Sequence, residues 1–273
     1  MNHIAKGTSP MPQSEPPYVL REANARGVVT LTLNRPKTLN SLSDGMLDAL
    51  QRELDALMHD DQARVLVLAA TGKGFCAGHY LVEMRANPSQ DYYEGLFARC
   101  TRMMLSLQRL PIPVIARVHG IATAAGCQLV GMCDLAVAAT DARFAVSGVN
   151  LGLFCSTPSV ALARNVGRKQ AMEMLLTGDF ISADEAKERG LVNSVVPAER
   201  LDEEIGRLID KIVSKPRVAI AMGKEQFYRQ IEVGIEQAYS IAGHAMACNM
   251  MDEAALEGVQ AFIDKRPPHR PKT

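Results

Sequence analysis

Apolar positions along the chain recur with two different spacings. In "GVVTLTLN" (27–34), Val and Leu alternate with Thr, and this alternation predicts a strand. "ARVLVLAA" (63–70) is largely apolar and predicts a second strand, and "IPVIARVHG" (112–120) a third. "CDLAVAAT", "ARFAV" and "LVNSVVP" predict shorter ones. Between the first two strands, Met46, Leu47, Leu50, Leu54 and Leu57 recur at helical spacing, and Ser43 or Asp44 can cap the helix. A second helix is expected over roughly Tyr93 to Leu110. A third is expected in "GIATAAGCQLVGMCD" (120–134). Ser182 and Glu185 form a capping box, and Gly190 stops the helix that follows.

A strand followed by a helix therefore recurs, which predicts an α/β chain with a sheet covered by helices. From Leu201 onward the pattern is helical only. A boundary is expected near 200, dividing an α/β core over 18–200 from a helical region over 201–273 that packs outward onto another subunit. The Pro- and Ser-containing start, 1–17, is expected to be a flexible tail.

Composition narrows the function classes. Of 273 residues, 47% are hydrophobic, enough for a sizeable core. Lys plus Arg and Asp plus Glu both total 30, so no excess charge favours nucleic acid or an acidic membrane. No stretch approaches the ~18 apolar residues of a membrane span. The start lacks the basic-then-apolar layout of a secretory signal, so the cytoplasm is expected. The six cysteines form no CxxC pair and are expected to be reduced and buried. The histidines are scattered, so no metal site is expected. Walker, dinucleotide-binding and GxSxG patterns are absent.

Two turns built of small residues remain, "FCAGH" and "GIATAAG", each following a predicted strand. Small side chains let a ligand approach the backbone closely. A helix start leaves backbone N–H groups without partners, and two of them aimed at one point can hold a developing oxyanion. Close packing of helix on sheet would produce the same small residues.

Five ordered blocks carry a resemblance: "LNRPKTLNSLS", "GKGFCAGHYLVEM", "PIPVIARVHGIATAAGCQLVGMCDLAVAATDARFAV", "AMEMLLTGDFISADEAKERGLVNSVVP" and "EGVQAFIDKR". Together they resemble the crotonase (enoyl-CoA hydratase/isomerase) family over roughly residues 20–266. "GLFCSTPSVALARNVGRKQAMEML" resembles one branch of that family in particular. The resemblance implies a spiral of ββα units with a C-terminal helical trimerisation region, assembled as a homotrimer or a dimer of trimers. It implies an acyl-CoA thioester as ligand, with coenzyme A part of the substrate and no separate cofactor. It places the oxyanion-hole amides at Ala77 and Ala125. It lays CoA along Arg35, Lys37 and Leu39, over the segment Ala77, Gly78, His79 and Tyr80. Phe262 and Lys265 match residues that reach a neighbouring subunit's CoA.

Family hydratases use two glutamates to hold water and move the proton. The chain has Gln128 at the first of these positions and Gly148 at the second. A Gln amide orients water but is not a useful base, and Gly has no side chain. Each general acid–base group typically supplies ~10²–10⁴-fold. Hydration is therefore expected to be crippled, while acyl-CoA binding persists. Two alternatives stay open: a different acyl-CoA reaction, such as thioester hydrolysis or decarboxylation, and a non-catalytic acyl-CoA-binding oligomer. Candidate replacements for the carboxylates are His79, Tyr80, His119, Ser147, Asn150 and Cys155.

Overall fold

A hairpin opens the architecture. In the computed structural model, which describes residues 16–269, strands β1 (Val19–Ala23) and β2 (Val28–Leu33) pair antiparallel. Residues 1–15 of the expected tail lie outside the described residues. Ser43 then caps α1 (Asp44–Leu57), its hydroxyl accepting the Met46 N–H at 3.2 Å. Strand β3 (Val65–Ala70) follows, then the short α2 (Leu81–Ala86) and the long α3 (Gln90–Arg109). The middle of the chain runs through β4 (Val114–Val118), β5 (Ile121–Thr123), α4 (Ala125–Gly131), β6 (Leu135–Ala139) and β7 (Arg143–Ala145). Helices α5 (Ser156–Asn165) and α6 (Arg168–Thr177) precede β8 (Ile181–Ser182), α7 (Ala183–Glu188) and β9 (Ser194–Val196). Both hydrogen bonds of the Ser182–Glu185 capping box are present. The chain ends in α8 (Leu201–Val213), α9 (Arg217–Gln230), α10 (Ile235–Met250) and α11 (Glu253–Ile263).

The main sheet has the order β1-β2-β3-β4-β6-β9, parallel except for the opening hairpin, and β5-β7-β8 form a smaller second sheet. Strand β3 reads VLVLAA and is buried along its whole length, as a strand covered on both faces requires. Its alternate residues go to different cores. Leu66 and Leu68 join Leu31, Leu33, Leu50 and Met103, while Val65 and Val67 face Leu201, Ile205 and Ile209 of α8. Those three α8 residues lie four apart on one helical stripe. Burying each contributes roughly 1.5–3 kcal/mol.

Helix α8 is thus part of the core, and the boundary expected near 200 moves to the turn after Val213. Helical periodicity alone does not say what a stripe will meet. Helices α9 and α10 bury no residue within the chain, and α11 buries only Ala261. The helix expected across 120–134 also divides. Its first residues form β5, and α4 starts at Ala125. Three residues of strand carry too little periodic signal to be distinguished from a helix start.

Candidate active site

Three turns are sewn together above the sheet. Cys76 N–H donates to the Ile121 carbonyl (3.1 Å), and Thr123 N–H donates to the Cys76 carbonyl (3.0 Å). This parallel bridge sets the two small-residue turns side by side. Gly126 is required there, because an added Cβ would collide with the Cys76 carbonyl oxygen. The third turn, 35–40, is fastened by Asn40, which is fully buried. Its Oδ1 accepts the Arg35 N–H (2.8 Å), and its Nδ2 donates to the Thr71 and Gly74 carbonyls (2.8 and 2.9 Å).

This stitching decides which amides are free. Ala77 N–H donates to the Leu39 carbonyl at 3.0 Å, so it is not available to a ligand. Gly78 N–H lies beside the Cys76 thiol. His79 N–H has no acceptor among the described residues. Ala77, the expected donor, is thus engaged, and the unpaired amide of this turn is that of His79, two residues on. The reason is a bridge: Leu42 N–H binds the Gly78 carbonyl (2.7 Å) and Tyr80 N–H the Leu42 carbonyl (3.4 Å), leaving the amide between them unpaired.

The second turn also leaves one amide unpaired. Ala124 N–H binds the Ala145 carbonyl (2.9 Å), and Ala125 N–H has no acceptor among the described residues. The peptide between them is turned by an unusual backbone: Ala124 has φ +51° and ψ −120°. A non-glycine residue held there stores roughly 1–3 kcal/mol.

His79 and Ala125 line one cavity of about 290 Å³. Its walls are mainly apolar, with Leu81, Met84 and Phe97 on one side and Leu151 and Phe154 on another. Ala77 and Gly148 also line it. The His79 ring stands edge-on to Phe97, with 5.5 Å between ring centres. Both ring nitrogens are buried without a hydrogen-bond partner among the described residues. Burial holds the imidazole below its ordinary 6.5, against the nearby Leu42 carbonyl and Asp44, which favour the charged form.

The other candidates divide. Gln128 is buried on α4, its Oε1 without a donor among the described residues. Gly148 N–H points at the Cys155 sulfur (3.3 Å), and burial raises the Cys155 thiol above its usual value, which makes it a poor nucleophile. Ser147 shares a 3.0 Å hydrogen bond with Thr123. His119 faces the Gly72 carbonyl (2.9 Å), and Asn150 faces Gly178; neither lines the cavity.

Of the expected CoA contacts, Lys37 and Leu39 are exposed beside the cavity turn. Arg35 stacks on Tyr18 (3.6 Å) and donates to the Pro17 carbonyl, so its charge is partly engaged. Tyr80 caps the start of α2. Phe262, 85% exposed, and Lys265 lie at the far end of α11, outside the cavity of their own chain. Five cysteines are free and buried, but Cys248 is exposed on α10, against expectation. Its helix meets no core within the chain. Among the described residues, no group of three or more His, Cys, Asp or Glu is placed to hold a metal ion, and no helix is long and apolar enough to cross a membrane.

Comparison with known proteins bears on the whole chain. The family model described as enoyl-CoA hydratase/isomerase matches residues 23–271. The human protein named enoyl-CoA hydratase domain-containing protein 3, mitochondrial, is 43% identical over 94% of this chain and 84% of its own length. Its crystal structure superimposes with a TM-score of 0.89 at 42% identity, covering 93% of this chain and all of that one. This is the branch that "GLFCSTPSVALARNVGRKQAMEML" resembles. A crystal structure of an enoyl-CoA hydratase from Mycobacterium smegmatis superimposes with a TM-score of 0.92 at 66% identity, covering 93% and 99% of the two chains. The expected cytoplasmic location is overturned: curated relatives at 42–44% identity are mitochondrial by name. Compartment is addressed by a leader, so a neutral charge and an unremarkable start do not encode it.

Proposed function

The chain belongs to the enoyl-CoA hydratase/isomerase family, and from that premise we propose that it binds an acyl-CoA thioester in the cavity beside His79 and Ala125. The thioester oxygen sits between the two backbone N–H groups, which hold the charge of an enolate formed on it. The observation that carries this reading is the pair of unpartnered amides in one largely apolar cavity. Each such donor is worth ~10²–10³-fold in acyl-transfer enzymes, because little water competes for it. CoA runs along Arg35, Lys37 and Leu39, across residues 77–80. In a homotrimer or dimer of trimers, Phe262 and Lys265 of a neighbouring copy complete that groove.

Enoyl hydration is not the reaction we assign. Gln128 and Gly148 supply no carboxylate, and the space at Gly148 argues further. A Cβ there would stand 2.5 Å from the Leu153 carbonyl oxygen and 2.8 Å from the Cys155 sulfur. Restoring a glutamate at that position therefore displaces the 149–155 segment, and Gly148→Glu is expected to destabilise the protein rather than rescue it. The same two positions favour a second reading, an acyl-CoA-binding oligomer without catalysis.

Two measurements test these readings. Calorimetry with butyryl-CoA is expected to show binding, and its absence sinks both. Loss of enoyl absorbance with crotonyl-CoA is expected to be at least about 10²-fold slower than in a family member carrying both glutamates. Hydration at a comparable rate removes the assignment.

A further inference from the structure

Resting on the acyl-CoA reading above, we infer that the acyl group this cavity accepts is a long, uncharged hydrocarbon chain, and that Leu151 and Phe154 select it. The cavity has a buried end and an exposed rim. Ala125, Gly148 and Cys155 lie at the first. Leu81 (51% exposed) on α2 and Leu151 (70%), Leu153 (49%) and Phe154 (42%) on another wall line the same cavity and reach the surface. A lone exposed leucine needs no explanation, but four large apolar side chains around one opening carry its apolar lining outward. Among the described residues, no Asp, Glu, Lys or Arg lines the cavity. Of its four hydroxyl and thiol groups, three are already engaged: Ser147 with Thr123, Ser156 with the Phe154 carbonyl, and Cys155 with the Gly148 N–H. A charged chain would lose its water there and meet no counter-charge, whereas a hydrocarbon chain has no such cost.

The apolar wall depends on the missing side chain at position 148. Gly148 N–H donates to the Cys155 sulfur (3.3 Å), Leu153 N–H donates to the Gly148 carbonyl (3.0 Å), and Gly152 turns the chain at φ +78°. The segment 148–155 thereby closes on itself, with the Leu153 carbonyl in the space a Cβ would need. The residue that removes a carboxylate from the site is thus the one that lets Leu151, Leu153 and Phe154 pack beside it. Chain length follows from volume. The cavity of about 290 Å³, at the ~30 Å³ that a group the size of a water takes, has room for roughly ten heavy atoms, the thioester included. A longer chain continues along the exposed faces of Leu151 and Phe154.

The test is calorimetry on the full-length protein with butyryl-, octanoyl-, dodecanoyl- and succinyl-CoA. Each buried methylene is worth up to about fourfold in affinity, less the cost of fixing its torsions. Octanoyl-CoA is expected to bind at least about 10-fold more tightly than butyryl-CoA, and dodecanoyl-CoA more tightly still, at one molecule per chain. Succinyl-CoA, which carries a carboxylate in place of the terminal methyl of butyryl-CoA, is expected to bind at least about 10-fold more weakly than butyryl-CoA. In the double variant Leu151→Ser, Phe154→Ser the ratio of dodecanoyl-CoA to butyryl-CoA affinity should fall about 10-fold or more. Damage to the fold, or a role for these residues against the CoA moiety, would weaken both ligands alike and leave the ratio unchanged. The inference is overturned if the wild type binds butyryl- and dodecanoyl-CoA equally, if succinyl-CoA matches butyryl-CoA, or if the double variant keeps the wild-type ratio. A wild type that binds none of the four overturns the acyl-CoA reading itself, and this inference with it.

Discussion

Asn40 is a single amide on which the position of the site depends. Its fully buried side chain accepts from one turn and donates to two carbonyls of another. Removing it orphans three backbone groups at about 1–3 kcal/mol apiece, with partial relief by relaxation. Asn40→Ala is expected to lower stability by more than about 2 kcal/mol in urea unfolding and to weaken butyryl-CoA binding as the 71–78 loop shifts. His79 adds a pH signature. Its folded value lies below the unfolded 6.5, so the unfolded chain binds the proton first as pH falls. The contribution is therefore present above about pH 6.5 and lost as pH drops toward the folded value. His79→Phe should flatten this part of the stability–pH curve between pH 7 and 5, as read by thermal unfolding. A slope identical to wild type counts against a buried, neutral imidazole.

Helix α9 buries no residue within the chain, and polar contacts tie it to the core: Arg217 reaches Asp61 and the Asp60 carbonyl, and a denser cluster forms around Asp134. Asp134 accepts from Lys224 Nζ (2.7 Å), the Tyr228 hydroxyl (2.8 Å) and the Val114 N–H (2.7 Å). Lys224 also donates to the Leu107 and Ile112 carbonyls, both at 2.9 Å. Desolvation pulls the lysine below its usual range, but the carboxylate beside it opposes that shift. Removing one partner leaves the other charge buried, which typically costs about 3–5 kcal/mol. Asp134→Ala should therefore destabilise by that order, with hydrogen exchange rising first in α9. Exchange protection unchanged in α9 would show that packing, not this cluster, holds the helix. Asp134 closes the same stretch, "GIATAAGCQLVGMCD", that carries the unpaired amide of Ala125, so one segment contributes to both the cavity and the scaffold.

The assembled chain leaves large apolar side chains outside. Ile235, Tyr239, Met246, Met251, Phe262 and Ile263 on or next to α10 and α11 are each more than 60% exposed. Large apolar side chains left exposed on two successive helices point to an interface, and proteins of this family typically assemble as oligomers. Sedimentation is expected to give an oligomer, and, on the proposed shared groove, Phe262→Asp is expected to weaken both assembly and acyl-CoA affinity. A monomeric wild type that binds butyryl-CoA with full affinity would remove the shared groove.

Much of this was legible before any coordinates. The main strands, helix α1 with its Ser43 cap, the capping box at 182–185 and the helical C-terminal region follow from local periodicity and capping chemistry, which act over a few residues. Family blocks identified the two turns and the missing carboxylates at Gln128 and Gly148. Three matters needed the tertiary structure. Helix α8 belongs to the core because its stripe meets Val65 and Val67 across the sheet. The free amide is His79 rather than Ala77 because of bridges to residues nearly forty positions away. Position 148 has no room for a side chain because Leu153 and Cys155 return to fill it. Sequence records which hydrogen-bonding groups a chain carries. Which of them remain unpaired depends on segments distant along the chain, and only the folded backbone decides that.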